Sequence, residues 1–326
     1  MRHVLRQFRS IPLLALLASS AAAQDAAGGG GKEGKPNDGA LLRVRPYTLP
    51  PFDSLGEGIR RDVAREVSRE EYDRLRRDTG HELRKLEYAS DGLRVVAYTY
   101  GSSRTNALLP VIVYNRGSFV AADVAPVLLP TMSRLARGGF LVVAPQYRQS
   151  DGGEGKDEMG GADVSDVLNA VRLARTLPGA DSARVFMYGE SRGGMMAYQA
   201  VRDGAVLRAV AVVGAFTDLD SLLAGDPRSR GAATAIWPDF DRDHDTIAPR
   251  RSAVRWADEI RVPLLMLHGA NDTQVSPRQS MRLALQLDAG KRQYELHVIA
   301  DGSHTLRERG AARDSLIMAW FRKHER

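Results

Sequence analysis

The sequence predicts an α/β protein whose mostly parallel, doubly wound sheet begins with an antiparallel N-terminal hairpin. Two patterns carry that expectation. Short apolar runs alternate with helical patterns over the C-terminal two thirds of the chain, and an Asp-Gly pair separates two strand-like runs just before them. Near-continuous apolar strands joined through helices belong to a parallel sheet covered on both faces and wound by right-handed crossovers.

Taken in order, structure is expected to begin near Leu41. Val67 to Arg77 has helical spacing, with Ser68 as a cap and Glu70 and Glu71 in the first turn, where carboxylates suit the helix dipole. Leu86 to Ala89 and Leu93 to Tyr100 flank Ser90-Asp91-Gly92 and read as a hairpin, because Asp-Gly suits the tight turn between antiparallel strands. Strand-like runs follow at Leu109 to Tyr114, Leu141 to Ala144, Val185 to Tyr188, Val210 to Val213, Leu264 to His268 and Leu296 to Ile299. Helical patterns accompany them at Val127 to Arg137, Asp163 to Arg175, Gly193 to Arg202, Arg278 to Asp288 and Ala311 to Arg322. Phe216 to Ala257 breaks the rhythm. It has no clear strand, and its part before Arg251 is read as a small cap or irregular excursion over the strand ends.

Composition sets the outer limits. The chain has 326 residues, 43% hydrophobic and 26% charged, which is enough to bury the core of one large α/β domain, expected over residues 41–326. Arg2, Arg6 and Arg9 precede the apolar run Ile11 to Leu17 and then Ala21-Ala22-Ala23, the order of a signal peptide cleaved after Ala23. A secreted or periplasmic protein is therefore expected. Residues 24–40, rich in Gly, Ala, Lys and Asp, read as a disordered linker. The formal charge is +6, but three of the 46 Lys and Arg lie in the signal, leaving 43 against 40 acidic residues. Nucleic acid is not implied by so small an excess. No run beyond the signal is long and apolar enough for stable membrane insertion. Cysteine is absent, which excludes thiol catalysis, cysteine-ligated zinc and an N-terminal lipid on cysteine. No cofactor or metal is expected.

The chemistry centres on Val185 to Met195, which reads as a strand, then Gly189-Glu190-Ser191-Arg192-Gly193, then a helix. A strand-to-helix turn this tight leaves no room for side chains beside the serine, hence Gly189 and Gly193, and it lifts the hydroxyl above the sheet. Serine is a weak nucleophile at its own pKa, so it needs a base, and the base needs an orienter. Among the seven histidines, His304 follows the last strand-like run in Ala300-Asp301-Gly302-Ser303-His304, at the carboxyl end where ligands meet such sheets. Asp272, in His268-Gly269-Ala270-Asn271-Asp272, occupies the corresponding place after the preceding run. The order Ser191, Asp272, His304 is the one expected of an α/β-hydrolase fold. Plain roles stand beside these: a surface loop for His304 and a turn for Asp272.

A developing oxyanion needs two donors. Arg192 offers its backbone N–H at the start of the helix, and the second is expected from Asn115-Arg116-Gly117, where Asn115 donates by side chain or backbone and Gly117 admits substrate. Asp239, Asp241, Asp243 and Asp245 alternate but lack the glycine and terminal glutamate of a calcium loop, so a solvated acidic loop is expected. Asp163 and Asp166 read as buttresses of a helix, and Glu154, Asp157 and Glu158 as members of a Gly-rich loop flanking the pocket.

Gly189-x-Ser191-x-Gly193-Gly194, His268-Gly269-x-x-Asp272-x-x-Val275, Gly302-Ser303-His304 and Gly160-Gly161-Ala162-Asp163-x-x-Asp166 together resemble the catalytic domain of the prolyl oligopeptidase family of serine peptidases. The likeness runs from about Leu86 to Arg322. It implies the α/β-hydrolase fold and acyl transfer at amide or ester bonds. Two departures accompany it: the stretch before Leu86 is too short for the β-propeller of many relatives, and Asn115 stands where some place a tyrosine, with Tyr114 beside it. A serine hydrolase acting on small-molecule or short peptide substrates is expected, first as a peptidase, alternatively as a carboxylesterase. A non-catalytic binding protein on the same fold is the third reading.

Overall fold

The computed structural model describes residues 37–103, 105, 107–117, 124–224, 233–234 and 236–326. The expected signal peptide, most of the expected linker and residues 225–232 and 235 of the expected cap lie outside them. Nine strands form one sheet: β1 (Leu41–Pro46), β2 (His81–Ser90), β3 (Leu93–Ser102), β4 (Leu109–Asn115), β5 (Leu141–Pro145), β6 (Ala180–Glu190), β7 (Val210–Val213), β8 (Leu264–Gly269) and β9 (Tyr294–Ile299), among the described residues. Their spatial order is β1-β2-β3-β5-β4-β6-β7-β8-β9. β1, β2, β3 and β5 pair antiparallel in turn, and every pairing from β5–β4 to β8–β9 is parallel. The hairpin turn is the expected one: Ser90 pairs with Leu93, and Asp91 and Gly92 both take positive φ, 52° and 75°.

The helices are α1 (Glu57–Ala64), α2 (Arg69–Arg76), α3 (Ala125–Arg137), α4 (Val164–Thr176), α5 (Arg192–Arg202), α6 (Leu219–Ala224), α7 (Phe240–Arg250), α8 (Arg278–Ala289) and α9 (Gly310–Lys323), among the described residues. They cover both faces. Along β4, Val111 and Val113 turn to a core shared with α4, α5 and α8, while Ile112 and Tyr114 turn to a second core shared with α1, α2, α3 and α9. That two-sided burial is why the parallel strands read as unbroken apolar runs. Ser68 caps α2 as expected, its Oγ accepting from the Glu71 N–H at 3.2 Å.

Three local features differ from expectation or were not anticipated. α1 was not anticipated, since Val63 is its one buried residue and its remaining positions are charged, small or half-buried. The last residues of the expected linker belong to the sheet edge instead, because Gly39 donates to the Ala89 carbonyl and the Ala89 N–H donates to that of Ala40. The acidic run is helical, not a loop: Asp241, Asp243 and Asp245 lie in α7, which Phe240 and Ala248 anchor by burial. Its charges are met locally, Arg242 pairing with Asp239 and Asp243, and no cluster able to hold a metal occurs among the described residues.

Candidate active site

Between the end of β6 and the start of α5 stands one residue, Ser191. Its φ of 52° and ψ of −119° are strained for a side chain with a Cβ, at roughly 1–3 kcal/mol. The conformation is held from both sides. The Ser191 N–H donates to the Val213 carbonyl of β7 at 2.8 Å, and the Gly194 N–H donates to the Ser191 carbonyl at 3.0 Å. The turn is so close that a Cβ on Gly193 would overlap the Asn115 carbonyl and one on Gly189 would overlap the Gly193 carbonyl. Both glycines are therefore required by contact, since neither takes a positive φ.

The loops after β8 and β9 are stitched together below the serine. Ala270 donates to the Ile299 carbonyl and Asn271 to that of Gly302, each at 2.9 Å, and Gly269 and Gly302 meet too closely for a side chain on either. This seam delivers two side chains 32 residues apart into contact. His304 Nδ1 lies 2.7 Å from Asp272 Oδ2, and His304 Nε2 lies 2.9 Å from Ser191 Oγ. A carboxylate only accepts, so Nδ1 carries the proton and Nε2 is free to accept from the hydroxyl. Asp272 is fixed in turn by the N–H groups of Gln274 and Val275, both 2.9 Å from its Oδ1. Burial pushes the Asp272 carboxyl up, but hydrogen bonds from His268 and His304, the His304 charge and the Val275 N–H outweigh it and hold the group well below its ordinary range. His268 is fully buried: its Nε2–H is shared between the Val275 carbonyl at 2.9 Å and Asp272 Oδ2 at 3.3 Å, and its Nδ1 accepts from Ser280 Oγ at 2.7 Å.

Ser191, His304, Arg116, Gly117 and Arg192 share one cavity of about 400 Å³. Arg192 presents only its backbone there. Its guanidinium turns beneath the Gly-rich loop, gripping both oxygens of Asp157 and one of Asp163 and lying 4.7 Å over the Tyr147 ring. Gly117 comes so near the serine that a Cβ would stand 3.3 Å from that of Ser191. The Arg116 guanidinium braces the loop, donating to the Gln146 side chain and carbonyl, to Ser150 Oγ and to the Gly117 carbonyl. Asn115 does not line the cavity. Its side chain is buried without a hydrogen-bond partner among the described residues, and its carbonyl is the group that Gly193 accommodates. Tyr114 is buried on the opposite face of the sheet, stacked 4.8 Å from Tyr188.

The acids of the Gly-rich loop serve the loop itself. Glu154 accepts from the Arg94 N–H, Glu158 from the Ala162 N–H, and Asp163 from the Gly160 and Gly161 N–H groups. Asp166 pairs with Arg148 and Ser90. Beneath the serine lies an ion network that sequence reasoning missed. Arg313 of α9 reaches Glu190, the residue before Ser191, at 3.1 Å, and donates to the carbonyl of Thr305, the residue after His304, at 2.9 Å. No spacing rule links position 313 to these two. The signal present in the sequence was only an arginine on an otherwise core-facing helix stripe.

The pattern of the prolyl oligopeptidase family matches residues 130–325. An uncharacterized peptidase of Bacillus subtilis, YtmA, is 29% identical over 157 residues, 47% of this chain and 60% of its own length. The acylamino-acid-releasing enzyme of Homo sapiens is 26% identical over 272 residues, 74% of this chain and 35% of that protein. Among solved structures, a puromycin-hydrolyzing peptidase of Mycobacterium tuberculosis superposes with a TM-score of 0.64 at 26% identity, over 76% of this chain and 40% of that one. The chain thus spans less than two thirds of the length of each of these relatives.

Proposed function

Because the chain belongs to the prolyl oligopeptidase family, we propose that it is a serine peptidase that cleaves amide bonds of small or short peptide substrates through an acyl-enzyme. The observation that carries the proposal is the unbroken hydrogen-bonded line from Ser191 Oγ through His304 to Asp272. Ser191 attacks the substrate carbonyl while His304 Nε2 takes its proton. Asp272 keeps the imidazole in the productive tautomer and stabilises its positive form. The oxyanion is met by the backbone N–H of Arg192, at the positive end of α5, and by the backbone at Gly117, whose closeness to Ser191 supports that role better than the buried Asn115 side chain does. His304 then protonates the leaving amine, and water releases the acyl group by the same steps.

A fluorophosphonate probe tests the nucleophile. Wild type is expected to label and Ser191→Ala to remain unlabelled, with kcat lowered on the order of 10⁶-fold. Equal labelling of the two proteins would defeat the reading. A panel of aminoacyl amides against short-chain esters separates peptidase from carboxylesterase, since one triad serves both; turnover of esters alone would replace the first label by the second.

A further inference from the structure

The cavity beside Ser191 contains four arginines, and three are accounted for. Arg65 pairs with Asp62, Arg192 with Asp157 and Asp163, and Arg116 is bound by Gln146, Ser150 and the Gly117 carbonyl. Arg307 differs. It stands three residues after His304, partly buried in the wall of the same cavity, and its guanidinium makes no hydrogen bond or ion pair among the described residues. Two nearby carboxylates, Glu190 and Glu66, act on it at longer range, but each is already held by an arginine pair closer in: Glu190 by Arg313, Glu66 by Arg134 and Arg313. A guanidinium carries five donors and remains charged at every working pH, so one left without an acceptor in a half-buried wall is a poor structural element and a good receptor. The wall around it mixes apolar side chains, Ile59, Val124, Leu128 and Met159, with the polar Asp62, Glu190, Gln274 and Thr305. Partial burial weakens the screening of its charge by water.

Resting on the serine-hydrolase reading above, we propose that Arg307 seats a carboxylate of the substrate, so that the enzyme selects acidic over neutral substrates. A planar guanidinium suits a carboxylate by two parallel hydrogen bonds, whereas a neutral amide satisfies it less completely. Two sources carry that chemistry: the side chain of an acidic residue on the acyl side, or the free α-carboxylate of a short peptide on the leaving side.

Two substrate pairs distinguish them. Glutamyl against glutaminyl p-nitroanilide probes the acyl side, and alanyl-alanine against its C-terminal amide probes the leaving side. In one pair the wild type is expected to favour the carboxylate in kcat/KM by about tenfold or more, the range of a hydrogen bond to a charged group. The ratio should fall to within about twofold in Arg307→Gln and be largely kept in Arg307→Lys, which preserves the charge. Fluorophosphonate labelling of Ser191 reports folding of each variant. Should Arg307→Gln fail to label, the wild type decides through salt: the ratio must shrink as ionic strength rises. Labelling and turnover with no carboxylate preference in either pair, or a preference that survives Arg307→Gln or is indifferent to salt, overturns this inference and leaves the hydrolase reading standing. Absence of both labelling and turnover in the wild type overturns the two together.

Discussion

Replacing Arg313 with methionine would strand the carboxylate of Glu190 directly beneath the nucleophile. Arg313 is 1% exposed and Glu190 2%, and their closest atoms lie 3.1 Å apart. Methionine fills most of the arginine stem but offers no donor. Asp314 and Glu66 would keep Arg134 as a partner, whereas Glu190 would keep the uncharged hydroxyls of Tyr188, at 2.6 Å, and Tyr114. Breaking a buried pair from one side costs about 3–5 kcal/mol, because the remaining charge is left uncompensated. That is a large share of the roughly 5–15 kcal/mol that holds a typical domain together. The double variant Glu190→Gln/Arg313→Met removes the stranded charge, so it should regain much of the loss, with a coupling near the upper end of about 0.5–3 kcal/mol.

Urea denaturation of wild type, both single variants and the double variant measures this cycle, and its pH dependence supplies a second reading. In the wild type, burial pushes the Glu190 carboxyl up, but Arg313, Arg307 and the Tyr188 and Tyr114 hydroxyls outweigh it and hold the pKa below 4.5. A depressed carboxylate stabilises the fold above its unfolded pKa, and that contribution is lost as pH falls through the folded value. In Arg313→Met the folded pKa rises instead, so the folded state binds the proton more readily than the unfolded one. The stability gap between wild type and variant should therefore narrow as pH falls towards 4.5. A loss under about 1 kcal/mol, a double variant no more stable than Arg313→Met, or a gap that widens in acid would refute the assignment of this pair.

Two further outcomes follow from the site. Asp272→Asn keeps the shape of the side chain but removes the acceptor that fixes the His304 tautomer, so kcat should drop about 10⁴-fold with substrate binding little changed. The wild-type Asp272 pKa is depressed, so its contribution to stability is present above 3.8 and fades as pH falls through the folded value; the asparagine variant should lack that part of the acid slope in urea melts. Gly193→Ala places a Cβ against the Asn115 carbonyl, and the overpacking should cost about 1–3 kcal/mol and displace Ser191 from His304. Full labelling of Gly193→Ala by fluorophosphonate at wild-type stability would show that the turn is looser than described.

Much of this was legible in one dimension because it is local. The two-residue turn at Asp91-Gly92, the positive φ of Ser191 and the cap at Ser68 each depend on a few neighbouring backbone angles. α1 escaped because a short helix with one buried residue has almost no periodic signal. The aspartates of α7 misled because alternation of charge says nothing of the apolar anchors, Phe240 and Ala248, that set the backbone.

The sequence by itself determined the parallel sheet, its hairpin, the strand-to-helix turn that carries Ser191, and the chain order in which Asp272 and His304 follow. Those depend on side-chain size, apolar period and residue type, which neighbours along the chain decide. Only the tertiary structure decided that Asn115 is sealed away from the cavity, that Arg192 and Arg313 brace the site with buried ion pairs, and that Arg307 faces it without a partner among the described residues. Charge compensation in a buried site is a property of distances across the fold, and residues as far apart as 190 and 313 acquire it only when helices and strands pack.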